Sequence, residues 1–231
     1  MWKDNSSEEL FVFLDLCIVS GILRTRKEPV ANLQTTNPAY ARPIFHATME
    51  RDWFFQILCV ICFDDKATRN QWRLTDKLAT IRDVFESTIC RFQKVYTTNE
   101  HITNDEQLVV FRGKCPFCVF IKSKPGKYGI KLWIAANAQN FYACNMQVYT
   151  GKSDGVKDKK QGLQIVKDMV CHMYRTGRGV GADNFFTSCE LADFLLTKNM
   201  TVGRIRLKFQ HYFSVENKEM SILLPLVLPM I

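Results

Sequence analysis

The hydrophobic pattern of this chain changes period near Thr103, and a fold of one secondary-structure type cannot accommodate both halves. Before that point apolar residues recur at helical spacing: Trp53, Phe54, Ile57, Leu58 and Ile61, then Leu78, Ile81, Phe85, Ile89, Phe92 and Val95. Ser6 and Glu9 have the spacing of a capping box ahead of the apolar run from Leu10. Pro29, Pro38 and Pro43 punctuate a loop region between the first two long helices. After Thr103 the period becomes two. Phe117, Val119 and Ile121 alternate, as do Ile130, Leu132 and Ile134, then Tyr142, Cys144, Met146 and Val148. Turn residues at Pro125-Gly126 and Ala138-Gln139-Asn140 make these an antiparallel meander of three strands.

Past a polar loop from Gly151 to Lys160, Leu163, Val166, Val170 and Met173 line one helix face. A short strand is expected over 179–183, then a helix carrying Leu191, Phe194 and Leu195, opened by a second capping box at Thr187 and Glu190. Thr201 to Ile205 reads as a last strand. The fold class is therefore α+β, a helical region followed by a sheet with helices.

Two acids stand beside strand-like segments, Asp105 at the edge of the first strand and Asp183 at the end of the strand before the capped helix. Between them, residues 112–131 hold six cations, Arg112, Lys114, Lys122, Lys124, Lys127 and Lys131, and no acid. Carboxylates beside a phosphate-binding surface suit metal-assisted phosphoryl transfer on nucleic acid, with Mg²⁺ or Mn²⁺ as the hard cation. The structural alternative is an ordinary loop-end acid, an acid leading into a helix, and a solvated strand face. The net charge of +8 agrees with a polyanionic partner without requiring one.

Cys59-Val-Ile-Cys62 and Cys115-Pro-Phe-Cys118 prompt a zinc site, but the first pair falls inside an amphipathic helix and the gap between the pairs is long. No zinc is expected. Nine cysteines, an odd number, argue for reduced thiols inside a cell. The acidic opening does not fit a secretory signal, and the run Leu10 to Leu23, broken by Asp15, is shorter than the roughly 20 residues that cross a bilayer, so no membrane is expected.

Ordered matches run along most of the chain: Pro43-Ile-Phe-His-Ala-Thr-Met49, Phe63-Asp-Asp-Lys-Ala-Thr-Arg69, Asp105-Glu-Gln-Leu108, Phe111-Arg-Gly-Lys-Cys-Pro-Phe117, Lys124-Pro-Gly-Lys-Tyr-Gly-Ile130 and Asp183-Asn-Phe-Phe-Thr-Ser188. These segments resemble the piggyBac transposase family. The resemblance implies a ribonuclease H-like mixed sheet flanked by helices, incomplete at the C-terminus, with Asp105 and Asp183 on neighbouring strands as the first two catalytic and metal-binding aspartates. It implies a division into 1–102, the start of a dimerisation and DNA-binding domain, 103–210, a partial catalytic domain, and 211–231, a divergent tail. Double-stranded DNA with TTAA-type targets, a homodimer and a nuclear location follow by the same resemblance.

The family's third aspartate has no counterpart here, since Glu190, Asp193, Glu216 and Glu219 do not stand in its motif. Cys59, Cys62 and Cys118 occupy positions where relatives carry arginine. The expectation is thus a truncated, catalytically incomplete transposase-derived protein. A domesticated non-catalytic module that binds DNA or a protein is the alternative.

Overall fold

The computed structural model describes residues 6–23, 25, 28–111, 113–151 and 161–204. The chain divides into two units, one of residues up to Lys66 and one beginning at Ala67. Arg112, most of the polar loop (152–160), Ile205 and the tail 211–231 lie outside the described residues.

The first unit is helical: α1 (Ser7–Ile22), α2 (Val30–Leu33), α3 (Pro43–Thr48) and α4 (Arg51–Val60). The capping box at its start is formed, with the Glu9 N–H donating to Ser6 Oγ and the Ser6 N–H to the Glu9 carboxylate, both at 3.2 Å. The apolar spacing of α1 and α4 brings Phe13, Leu16, Phe54 and Ile57 into one core with Leu33, Phe45 and Met49, the Phe13 and Phe54 rings 4.9 Å apart. The proline-rich stretch does more than loop: Pro43 starts α3, where its fixed φ and missing N–H cost nothing.

The second unit opens with α5 (Arg69–Thr75) and α6 (Arg82–Val95). Leu78 and Ile81 have helical spacing yet precede α6. The Asp76 carboxylate accepts the Leu78 N–H at 2.9 Å and a two-pronged bond from Arg82 at 2.7 Å, which fixes a non-helical turn that still buries both apolar side chains.

The sheet follows: β1 (His101–Val110), β2 (Val119–Phe120), β3 (Tyr128–Asn137), β4 (Ala143–Val148), then α7 (Gln161–Val170) with a short 3-10 turn, β5 (Gly179–Ala182), α8 (Cys189–Thr197) and β6 (Thr201–Arg204). Its order is β4-β3-β1-β5-β6, with β2 pairing on the same edge of β3 as β4. Strands β1, β3 and β4 are antiparallel; β5 and β6 run parallel to β1. Three antiparallel strands followed by two parallel ones through crossover helices is the ribonuclease H-like arrangement.

Helices α7 and α8 pack on Ile102, Trp133, Ala135, Val180 and Ala182 through Leu163, Val166, Met169, Val170, Leu191 and Leu195, while α6 lies against β4. Two details depart from the sequence reading. The strand expected over 117–121 pairs only at Val119–Phe120, because a turn at Cys115–Cys118 precedes it and another over 122–126 follows. The cap of α8 is Ser188, whose Oγ accepts the Leu191 N–H at 3.1 Å; Thr187 instead spends its hydroxyl on the Asp183 carbonyl at 2.7 Å.

Candidate metal and nucleic-acid site

Strand β1 is the central strand, bonded to β3 on one side and β5 on the other, so Asp105 sits mid-sheet rather than at a strand edge. It lies directly opposite Ile134 and is only 6% exposed. On the other side the parallel register pairs Thr103 with Gly181 and Asn104 with Ala182. Asp183 is the next residue, where β5 stops. The backbone ladder therefore sets the two aspartates side by side.

Glu106 completes the group: one carboxylate oxygen each from Asp105, Glu106 and Asp183 lie within 4.8 Å of one another. Sequence reasoning did not single out Glu106. Its neighbour Asp105 in the Asp105-Glu-Gln-Leu108 motif was the available signal, but alternation along a strand sends successive side chains to opposite faces and argues against a shared site. The longer Glu side chain overcomes that divergence.

Each acid is held. Asp105 accepts the Glu106 N–H at 2.8 Å, and Asp183 accepts the N–H groups of Phe185 at 2.9 Å and Phe186 at 3.4 Å, an Asx-type turn leading to α8. Gly162 of α7 approaches this turn so closely that a Cβ there would stand 2.4 Å from the Phe185 carbonyl oxygen. Lys124 reaches in from the β2–β3 turn, its Nζ 3.0 Å from the Glu106 carbonyl and 3.5 Å from the Glu106 carboxylate. Burial pushes the Asp105 carboxyl up to about 6, against the pull of the Glu106 N–H and the Lys124 ammonium. Three converging carboxylates, all hard oxygen donors, fit a divalent cation.

The six cations have different placements. Lys114, Lys122 and Lys127 are exposed. Lys124 is engaged with Glu106. Lys131 lies 5.6–5.9 Å from the ring centres of Trp133, Tyr149 and Phe185. Arg112 lies outside the described residues. Of the two C-x-x-C pairs, Cys59 lies on α4, and the Cys62 thiol donates to the Asp64 carboxylate at 2.9 Å, so the first pair is part of a helix end and not of a zinc turn.

A family model described as Transposase IS4 matches residues 1–216, and the chain belongs to that transposase family, in its piggyBac branch. The human PiggyBac transposable element-derived protein 3 is 26% identical over 207 residues, covering 87% of this chain and 34% of the relative. The human chimeric ERCC6-PGBD3 protein matches with the same identity and 19% of its length. The chain thus spans about a third or less of the curated relatives it matches. A solved structure described as a piggyBac transposase synaptic complex with hairpin DNA superposes with a TM-score of 0.73 at 28% identity, over 89% of this chain and 43% of that one.

Proposed function

We propose that this chain carries the first two thirds of a DNA cut-and-paste site: it binds a divalent cation through Asp105, Asp183 and Glu106, and duplex DNA through Lys114, Lys122 and Lys127, with Arg112. The observation that supports this most strongly is the convergence of the three carboxylates where β5 ends beside β1. A bound Mg²⁺ or Mn²⁺ would supply Lewis acidity at a scissile phosphate and lower the pKa of a coordinated water. The residues of the chain do the rest. The Glu106 N–H and the Phe185 and Phe186 N–H groups fix the two aspartates, and Lys124 keeps net negative charge at the cluster from repelling itself apart. The exposed lysines hold a phosphate backbone near the cluster's strand without reading sequence.

Residues 103–210 are the catalytic part in this reading and 1–102 the start of a dimerisation and DNA-binding part, acting on nuclear DNA as a homodimer. Because this sequence supplies two of the family's three aspartates, the segment by itself binds DNA and metal without completing excision. The second reading, a domesticated DNA-binding module, draws on the same exposed lysines.

The test is an excision assay on a plasmid carrying family-type terminal repeats at TTAA sites, run beside a salt titration of duplex binding. Binding that weakens steeply with salt and no excision is expected. Excision abolished by Asp183→Ala would overturn the binding-only reading; binding indifferent to salt would remove DNA from the account altogether.

A further inference from the structure

Two thiols meet on the segment between β1 and β2. Cys115 to Cys118 form a turn with Pro116 and Phe117 at its centre, closed by the Cys118 N–H donating to the Cys115 carbonyl at 3.5 Å. Such a turn holds its end Cα atoms within about 7 Å, and disulfides span Cα separations of about 4.4–6.8 Å. The two thiols are in hydrogen-bonding contact, and the Tyr128 hydroxyl bonds Cys118 as well. Both cysteines are free and half-buried, hence reachable from solvent, while Phe117 between them is 3% exposed and anchors the turn. Among the described residues, no third His, Cys, Asp or Glu joins them.

We propose that Cys115 and Cys118 form a dithiol–disulfide pair that exchanges with low-molecular-weight disulfides of the glutathione type. In the first step the Cys115 thiolate attacks one sulfur of the small disulfide, forming a mixed disulfide and expelling one thiolate, which takes a proton from water. In the second, Cys118 gives up its proton to solvent and its sulfur attacks Cys115, expelling the second small thiol. Two protein thiols are oxidised and one small disulfide is reduced to two thiols. The order of attack follows from the surroundings: burial and the adjacent Cys115 sulfur push Cys118 up to about 11, which leaves it protonated and suited to the resolving role.

The full chain is equilibrated with mixtures of reduced and oxidised glutathione, alkylated, and mapped without reduction. The peptide holding residues 115 and 118 is expected to lose both alkylatable thiols to an internal disulfide, at a lower proportion of oxidised glutathione than any peptide holding Cys59, Cys90, Cys171 or Cys189. Cys118→Ser is expected to convert that product into a lasting glutathione adduct on Cys115. Retention of both thiols in the unaltered chain would overturn the proposal, as would a stable adduct on its Cys115 or a tightly held zinc ion released by Cys115→Ser. The first measurement needs no variant, so a poorly folding substitution does not blunt it.

Discussion

The acidic cluster and the basic run are built by different means. Asp105 and Asp183 are placed by backbone pairing: once β5 lies parallel to β1 in the register Asn104–Ala182, the two carboxylates have nowhere else to go. Of the described cations in this run, Lys114, Lys122, Lys124 and Lys127 lie on loops and turns and Lys131 on β3, and they end in three states, exposed, paired with Glu106, or set among aromatic rings. A ladder converts sequence position into geometry directly. A run of like charges does not, and counting it overstates the surface it offers to DNA.

The largest effect expected is on the ladder-built side. Asp183→Ala should weaken Mn²⁺ binding, read by calorimetry, on the order of a hundredfold, since even outer partners of a metal ligand cost about 10–100-fold; affinity within a factor of two of the original would break the contrast. Next, Gly162→Ala should cost about 1–3 kcal/mol of stability in denaturant titration, because its Cβ meets backbone of the Phe185–Phe186 turn that cannot yield like a side-chain tip.

The third concerns the buried acid. The fold favours the protonated Asp105, so the stability it contributes is present below about pH 4 and lost as pH rises through about 6. Asp105→Asn should therefore stabilise the chain by about 3 kcal/mol at pH 8, an advantage that vanishes toward pH 4; a gain that persists in acid contradicts the assigned cause. The smallest effect sharpens the other side. Lys122→Ala should reduce the salt dependence of DNA binding by about 0.9 in log–log slope, one phosphate contact, whereas Lys124→Ala should change it less, its charge being already committed to Glu106.

Much of the fold was legible because period and caps are local. The switch near Thr103, the Ser6–Glu9 box and the order from β3 to β6 stand in the structure, whereas the meander expected from residue 117 does not: its first strand shrinks to β2, and β1 takes that place beside β3. What misled was local chemistry that tertiary contacts reassigned. Thr103, Asn104, Asp105, Glu106 and Gln107 are five polar residues in succession, without the alternation that marks a strand, yet they form the middle of the central strand of the sheet. Thr187 and Glu190 had the spacing of a capping box, but the Asp183 carbonyl claimed the hydroxyl. Asp105 and Asp183 were nameable as a pair from their motifs; Glu106 and the inward reach of Lys124 depend on where side-chain tips end, which spacing does not encode.

The parallel pairing of β1 with β5 also sets a timetable. His101–Asn104 emerges from synthesis long before Gly179–Ala182, and the antiparallel neighbour of β1, β3, lies nearer in the chain and pairs at lower entropic cost than this distant partner. During that interval the central strand waits with one flank bare and Asp105 without its companion. Cation affinity should consequently appear only in the last, slowest phase of refolding, making metal capture a reporter of completed topology.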